Sequence, residues 1–335
     1  MAVSKRHHYV PQFYLHYFVD ADGLLHVCAK DDLACRLQTP GNTTVENRFY
    51  GYSDGAGNYN DEIERSLAEL ESKAKYVLDR WQQSNARPES AEIPLMSQFL
   101  ALMHCRVPRT INAAKELMEI SGFEVAKIAA ERRDLVEEFF VSQQAKGRPA
   151  IDIDKFLESL NDAENRFTIE ANPKIALAES LSTAPTVAEL LAKMNWCLCR
   201  APENSKFITS DSPLCVFSEK TGGKALLGAG FALPSAQVHF PISPSYCLRL
   251  DKRQTQRRAA VSSKSVDQLN RRTAANAERY VISSRSTAKI TALTSEFAFT
   301  GNRPKLDRKI VSDIMGRKLR ANLERNRPSQ KKEGA

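Results

Sequence analysis

The apolar residues of this 335-residue chain change their spacing twice, and the two changes bound the folds that it can adopt. Up to about residue 60 they come in short runs cut by turn residues, as in β-strands. They then recur at steps of three and four, the spacing of an amphipathic helix, first at Ile63, Leu67, Leu70, Ala74, Val77 and Trp81. After Asn195 short β-branched and aromatic runs return. This order of strands, long helices and strands predicts an α+β fold.

We predict one α+β domain over residues 1–300, followed by a basic C-terminal helix and tail over 301–335. The domain has three parts: a β-rich start of short strands (1–60), a central helical block (61–195) and a strand-rich part (196–300). The third part is expected to form a mixed sheet with one helix at about 264–278.

Several classes of protein are disfavoured by what the sequence lacks. No apolar run approaches the roughly 18 residues that a membrane-spanning helix needs, and the first ten residues do not read as a signal peptide. There is no P-loop, no dinucleotide-binding glycine motif and no G-x-S-x-G. The seven cysteines are scattered without a C-x-x-C pair, which predicts reduced, mostly buried thiols in a cytoplasmic protein.

The net charge of +8 is concentrated at the C-terminus. Residues 301–335 hold eleven Lys/Arg and four Asp/Glu, so this segment alone carries +7. A basic tail can contact the phosphates of nucleic acid without sequence preference, or it can be a solubilising terminus.

The first candidate site residues stand near the N-terminus, in "HHYVPQFYL" over residues 7–15. His7 and His8 are adjacent, so in a strand they point to opposite faces, and Pro11 stiffens the segment that carries them. One imidazole could act as a general base or a metal ligand, with Gln12 as a substrate-binding neighbour. Alternatively, the aromatic residues dock in the core and the histidines lie at its rim.

"HHYVP" also looks like the first half of an HNH-type nuclease motif, in which a histidine strand supplies the base and a metal ligand. The second half should bring an Asn and a His soon afterwards, but after His26 the next histidine is His104. Because only the first half of the motif is present, an HNH-like nuclease is kept as a second alternative.

Two carboxylates in the first long helix could serve the same chemistry. Glu64 and Glu71 are seven residues apart, so they share one helix face beside the apolar stripe. They could hold a metal or act as acid and base, or they could form a charged rim paired with lysines.

The apolar stretch "FLALMHCRVPRT" carries Arg106 and Arg109 at a proline where we expect the second helix to kink. An arginine in such company needs an anionic partner, because burying it alone is costly. Two roles are open for these arginines. They could pair structurally with Glu64, Glu71 or Asp211, or they could bind a substrate phosphate.

The last candidates follow an apolar strand in "KFITSDSPLCVF". Ser210, Asp211 and Ser212 precede Pro213 in a tight turn at a strand end, a common position for catalytic groups. Asp211 is the catalytic candidate and the serines are substrate-binding candidates. The turn could also be stabilised by its own backbone.

Together these stretches resemble a widespread bacterial family of unknown function. The residues that carry the resemblance are the "HHYVPQFYL" signature, Phe49-Tyr50, Ile63-Glu64, Leu70-Glu71-Ser72, Arg106-Val107-Pro108, Ile208 to Pro213 and Phe240 to Pro244. It spans residues 7 to about 285 and implies one intact domain. It also implies that His7 or His8, Glu64, Glu71, Arg106 and Asp211 could converge on one site.

We therefore expect a bacterial-type nuclease or phosphodiesterase acting on nucleic acid, in the cytoplasm and not in a membrane. Its catalytic residues would be His7 or His8, Asp211, Glu64 and Glu71, with a divalent metal, Mg²⁺ or Mn²⁺, as a possible cofactor. Arg106 or Arg109 would steady a phosphate and the basic tail would capture the polymer. The alternatives are a non-catalytic interaction or sensor module with a buried polar network, and an enzyme that acts on a small phosphorylated molecule.

Overall fold

A computed structural model describes residues 6–47, 49, 52–53, 59–60, 62–83, 86–161, 168–218, 230–253, 256–298 and 308–325. Within these residues the chain forms two compact units, one of residues 1–112 with 177–303 and the other of 113–176 with 304–335. The domain boundary that we predict at residue 300 stays a prediction.

The helices and strands follow the order predicted from the apolar spacing. The described strands are β1 Arg6–His8, β2 Leu25–Ala29, β3 Cys35–Gln38, β4 Val45–Asn47, β5 Tyr52–Ser53, β6 Tyr59–Asn60, β7 Asn195–Arg200, β8 Thr209–Ser210, β9 Cys215–Ser218, β10 Ala236–Ser243, β11 Tyr246–Asp251, β12 Arg258–Ala260 and β13 Tyr280–Ser283. The described helices are α1 Gln12–Leu15, α2 Glu62–Trp81, α3 Ile93–Cys105, α4 Pro108–Glu131, α5 Arg133–Gln144, α6 Ile153–Asn161, α7 Pro173–Ser182, α8 Ala184–Ala192, α9 Ser263–Asn276, α10 Ala288–Glu296 and α11 Arg308–Arg325. The predicted α+β class, with its central helical block and C-terminal mixed sheet, is confirmed.

The first unit holds two larger sheets. One has the strand order β12-β7-β11-β10-β9, antiparallel except for the parallel pair of β12 and β7. The other is antiparallel, with the order β3-β2-β13-β8, so the β-rich start and the late strands share one sheet. Two-stranded ribbons pair β1 with β4 and β5 with β6.

Helices α2 and α3 bury their apolar faces against the five-stranded sheet. The indole of Trp81, at the end of α2, meets that of Trp196 in β7 edge to face, with ring centroids 6.1 Å apart. Phe99 of α3 meets Phe240 of β10 in the same way at 6.3 Å. Such aromatic pairs add to the free energy gained by burying their large apolar area.

The N-terminal segment is fastened to the late strands. The hydroxyl of Tyr14 in α1 donates a hydrogen bond of 2.7 Å to the carbonyl of Pro241 and lies 2.6 Å from the hydroxyl of Thr209. Tyr14 is fully buried, so both contacts satisfy a polar group that would otherwise be costly in the core. The chain start therefore packs onto strands more than 190 residues away.

The described part of the second unit contains helices and connecting loops but no strand. The ring of Phe140 in α5 meets that of Phe156 in α6 edge to face at 5.0 Å. The predicted basic C-terminal helix is α11, where Arg320 Nη2 donates to Glu131 Oε1 of α4 at 3.0 Å. Among the described helices, none is long and apolar enough to cross a membrane.

Two expectations from the sequence differ from the structure. The helix expected to continue with a kink past Pro108 is two helices, because α3 ends at Cys105 and Pro108 begins α4, where a missing backbone N–H costs nothing. The expectation that all cysteines are reduced is wrong for Cys28 and Cys35. These two lie directly opposite each other in β2 and β3, with Cα atoms 4.0 Å apart, and form a disulfide. The other five cysteines are free and buried.

Candidate functional site

Strand β1 presents His7 to the interior. Strand alternation leaves Arg6 exposed and buries His7, whose Nε2 lies 3.1 Å from Oε2 of Glu64 in the first turn of α2. Because a carboxylate can only accept, a proton on Nε2 of His7 is donated to Glu64. The His7 side chain has no exposed area, whereas the Glu64 side chain is 34% exposed. Glu64 is therefore the member of the pair that solvent or a ligand can reach.

His8 is held in one tautomer by its two ring partners. Its Nε2 lies 3.2 Å from the carbonyl oxygen of Gly41, an acceptor only, so this nitrogen carries the proton. Its Nδ1 then accepts a hydrogen bond of 3.2 Å from the side-chain amide of Gln12. Burial is the main cause that lowers the pKa of His8, which favours the neutral ring. Gln12, expected to bind substrate, is engaged with this imidazole.

Glu71, which shares a face of α2 with Glu64, forms an ion pair with Arg106 at the end of α3. Arg106 Nη1 donates to Glu71 Oε1 at 2.6 Å, and the Arg106 side chain is only 2% exposed. The sequence leaves Glu64, Glu71 and Asp211 open as anionic partners of Arg106, and in the structure its partner is Glu71. The charges of both residues act on the pKa of His8, Glu71 raising it and Arg106 lowering it. We call His7, His8, Gln12, Glu64, Glu71 and Arg106 together the histidine cluster.

Asp211 is buried in the turn after β8 and its carboxylate is occupied by backbone amides. Its two oxygens accept hydrogen bonds from the N–H groups of Glu278, Arg279 and Tyr280 at 2.9, 2.7 and 3.0 Å. Burial raises the pKa of Asp211 to about 6, against the opposing effect of these three donors. Within the described residues it makes no hydrogen bond with His7 or His8.

The serines beside Asp211 are held in the same turn. Ser210 Oγ accepts a hydrogen bond from the backbone N–H of Ser212 at 3.1 Å, and Ser212 Oγ accepts one from Asn276 Nδ2 at 3.2 Å. Both serines are buried. Of the interpretations open from the sequence, the geometry of Ser210, Asp211 and Ser212 is that of a turn stabilised by backbone contacts.

Arg109 lies near Lys30 and His104 and outside the histidine cluster. Burial lowers the pKa of Lys30 to about 8 and that of His104 to about 4, and in each case the charge of Arg109 lowers it further. The Lys30 ammonium donates to the carbonyls of Ala274 and Ala277 at 3.3 and 2.8 Å. The side chain of Arg109 makes no ion pair or hydrogen bond in the part of the chain that the structure describes.

Two of the contacts described above, those of Gly41 and Lys30, could not be predicted from the sequence. Gly41 acts through its carbonyl oxygen, which is common to every residue type, so only the fold reveals it. Lys30 follows an ordinary strand, and its burial depends on pairing of β2 with the distant β13. Among the described residues, no three His, Cys, Asp or Glu side chains are grouped so that they could hold a metal ion.

Comparison with known proteins identifies a family and nothing closer. The family model described as "Protein of unknown function (DUF4238)" matches residues 6–287, most of the chain. No curated protein and no solved structure is similar enough to this chain to count as a match. The match agrees with the resemblance to a family of unknown function over residues 7 to about 285.

Proposed function

The chain belongs to the DUF4238 family of unknown function, and we propose from its own residues that it is a hydrolase of phosphodiester bonds in nucleic acid. The observation that carries the proposal is the contact of the buried His7 imidazole with the solvent-accessible Glu64 carboxylate. A carboxylate held by a buried imidazole suits a general base, because its orientation is fixed before substrate binds.

In this mechanism Glu64 is the catalytic residue and His7 is a positioning residue. Glu64 takes a proton from water as the water oxygen forms a bond to phosphorus. The bond from phosphorus to the leaving oxygen breaks, and that oxygen takes a proton from solvent. His7 keeps the carboxylate aimed at the water through its Nε2–H.

A divalent metal and the basic tail are the remaining parts of the proposal. Mg²⁺ or Mn²⁺ would be held by the substrate phosphate and by water, since Mg²⁺ commonly keeps several waters, and Glu64 would remain the base. Nucleic acid would be captured by the positive charge of residues 301–335. We place the activity in the cytoplasm of a bacterium, where thiol reductants would open the Cys28–Cys35 bridge.

The test is hydrolysis of labelled single-stranded DNA, duplex DNA and RNA by the full chain, with Mg²⁺, with Mn²⁺ and with a chelator. Glu64→Gln should lower the rate by about 10²–10⁴-fold, the usual contribution of a general base. Glu69→Gln is the matched control, because Glu69 lies on the same helix but is exposed and paired with Lys73. The proposal would be contradicted if none of the three substrates were hydrolysed, or if Glu64→Gln and Glu69→Gln hydrolysed them at equal rates.

A second candidate is a non-catalytic interaction or sensor module built on a buried polar network. The observation that favours it is that Arg106 pairs with Glu71 and that Asp211 accepts hydrogen bonds from three backbone donors, so both charged groups are engaged within the protein. For this candidate we expect Glu64→Gln to change a binding or folding property while no nucleic acid is hydrolysed. The hydrolysis assay therefore separates the two candidates.

A further inference from the structure

A cleft of about 680 Å³ lies in the first unit, away from the histidine cluster. It is bounded by α9, by α10, by the loop 204–208 and by residues 283–287 at the end of β13. None of the residues of the histidine cluster lines it. Its volume is within the range of about 300–1,000 Å³ found for small-molecule sites.

The charges around this cleft do not cancel. Its walls carry two acidic residues and five basic ones: Asp267, Glu296, Lys206, Lys264, Arg271, Arg285 and Lys289. Lys289 pairs with Asp267 at 2.5 Å and Arg271 pairs with Glu296, so both acidic groups are neutralised.

Three cations remain. The side chains of Lys206, Lys264 and Arg285 make no ion pair or hydrogen bond within the residues that the structure describes. A site with three uncompensated positive charges attracts a polyanion, and phosphate oxygens are strong acceptors for both lysine and arginine.

The loop that carries Lys206 is fixed in place. The side-chain amide of Asn270 donates to the carbonyl of Lys206 at 2.8 Å, and its oxygen accepts from the N–H of Ile208 at 3.1 Å. These two bonds tie the loop to α9. A fixed loop lowers the entropy that a ligand would have to overcome on binding.

The cleft also has an apolar wall. Ile290 and Leu293 of α10 line it and are only partly buried by the rest of the protein. An apolar surface beside a cationic one suits a ligand that combines a planar, weakly polar group with phosphates.

We propose that this cleft binds a nucleoside di- or triphosphate. The phosphates contact Lys206, Lys264 and Arg285, and the base lies against Ile290 and Leu293. The proposal is independent of the hydrolytic site, because it concerns binding at other residues and its test needs no catalysis.

The experiment is calorimetric titration of the full chain with ATP, with pyrophosphate and with adenosine. ATP should bind more tightly than either fragment, and its affinity should fall as salt is raised. The triple variant Lys206→Ala, Lys264→Ala and Arg285→Ala should weaken ATP binding by about 100-fold, since each charge-assisted hydrogen bond contributes substantially. Lys193→Ala is the control, an exposed lysine outside the cleft, and it should bind ATP like the wild type.

Thermal melting of both variants checks that they are folded, and these exposed or half-exposed cations are not expected to be needed for folding. The proposal is overturned if millimolar ATP does not bind. It is also overturned if the triple variant binds ATP as the wild type does, or if pyrophosphate binds as tightly as ATP.

Discussion

At the scale of single residues, solvent access divides the polar groups of this chain into two kinds. Glu64 is partly exposed and reaches its buried partner with one oxygen. Asp211 and Arg106 are almost fully buried and engage acceptors or donors from the protein itself. A buried charge is tolerated only with such partners, so these two groups are engaged within the fold, while the Glu64 carboxylate is accessible to solvent.

The raised pKa of Asp211 predicts that the stability of the protein depends on pH. Its folded pKa of about 6 is above the ordinary 3.8, so the folded state binds this proton more tightly than the unfolded state. The stabilisation from that proton is fully present below about pH 4 and is lost as pH rises through about 6. Asp211→Asn removes this titration. It also replaces one carboxylate oxygen with an NH₂ group, which cannot accept hydrogen bonds from the backbone N–H groups. We expect it to destabilise the protein by about 1–3 kcal/mol, most at low pH.

Urea denaturation at a series of pH values measures the difference between wild type and Asp211→Asn. Asp22→Asn serves as the control, because Asp22 is exposed. A difference that stays constant between pH 4 and 7 would be inconsistent with a raised pKa at Asp211.

At the scale of elements, the Glu71–Arg106 pair joins α2 to the end of α3. We expect Arg106→Met to lower the free energy of unfolding by about 3–5 kcal/mol, because it leaves a half-buried carboxylate without its charge partner. Adding Glu71→Gln to the same protein should recover part of the loss. Lys73→Met, which breaks an exposed pair of the same helix, should cost less than about 1 kcal/mol. No recovery on adding Glu71→Gln, or equal losses for Arg106→Met and Lys73→Met in chemical denaturation, would contradict this account of the pair.

The disulfide between β2 and β3 leads to a second prediction at this scale, which concerns stability and thiol content. Closing so short a loop should stabilise the oxidised protein by about 2 kcal/mol, which reduction removes. Thiol titration of the denatured, unreduced chain should find the five free cysteines, and seven after reduction. Seven thiols without reductant in protein purified under air would contradict the bridge.

Elements whose sequence pattern is local could be predicted, and those that depend on pairing could not. The spacing from Ile63 to Trp81 predicts α2, since a helix is specified by its own residues. The disulfide could not be predicted, because only the register of β2 against β3 places Cys28 opposite Cys35. Asp211 likewise finds its donors 67 to 69 residues later, at the start of β13. For Glu64 the sequence leaves open a metal ligand, an acid or base and a paired rim charge, and only the fold shows its contact with His7.

At the scale of the whole molecule, nearly all the net charge lies at one end of the chain. If this segment captures nucleic acid, binding should weaken steeply with salt, because neutralised phosphates release counterions. Arg317→Glu with Lys318→Glu, both exposed on α11, should weaken binding and flatten the salt dependence. The control is Lys146→Glu with Lys193→Glu, which changes the net charge equally at exposed positions elsewhere. Fluorescence anisotropy with a labelled oligonucleotide measures both, and identical salt slopes would count against capture by the tail.

The central claim is that His7 and Glu64 act as one catalytic unit, and a double-variant comparison of kcat/KM tests it most directly. The variants are His7→Gln, Glu64→Gln and the two together, each checked by circular dichroism for folding. Because His7 works only by positioning Glu64, the double variant should be no slower than Glu64→Gln alone. If the two losses instead multiply, or if His7→Gln leaves kcat/KM unchanged while Glu64→Gln abolishes it, His7 does not position the base and the claim is wrong.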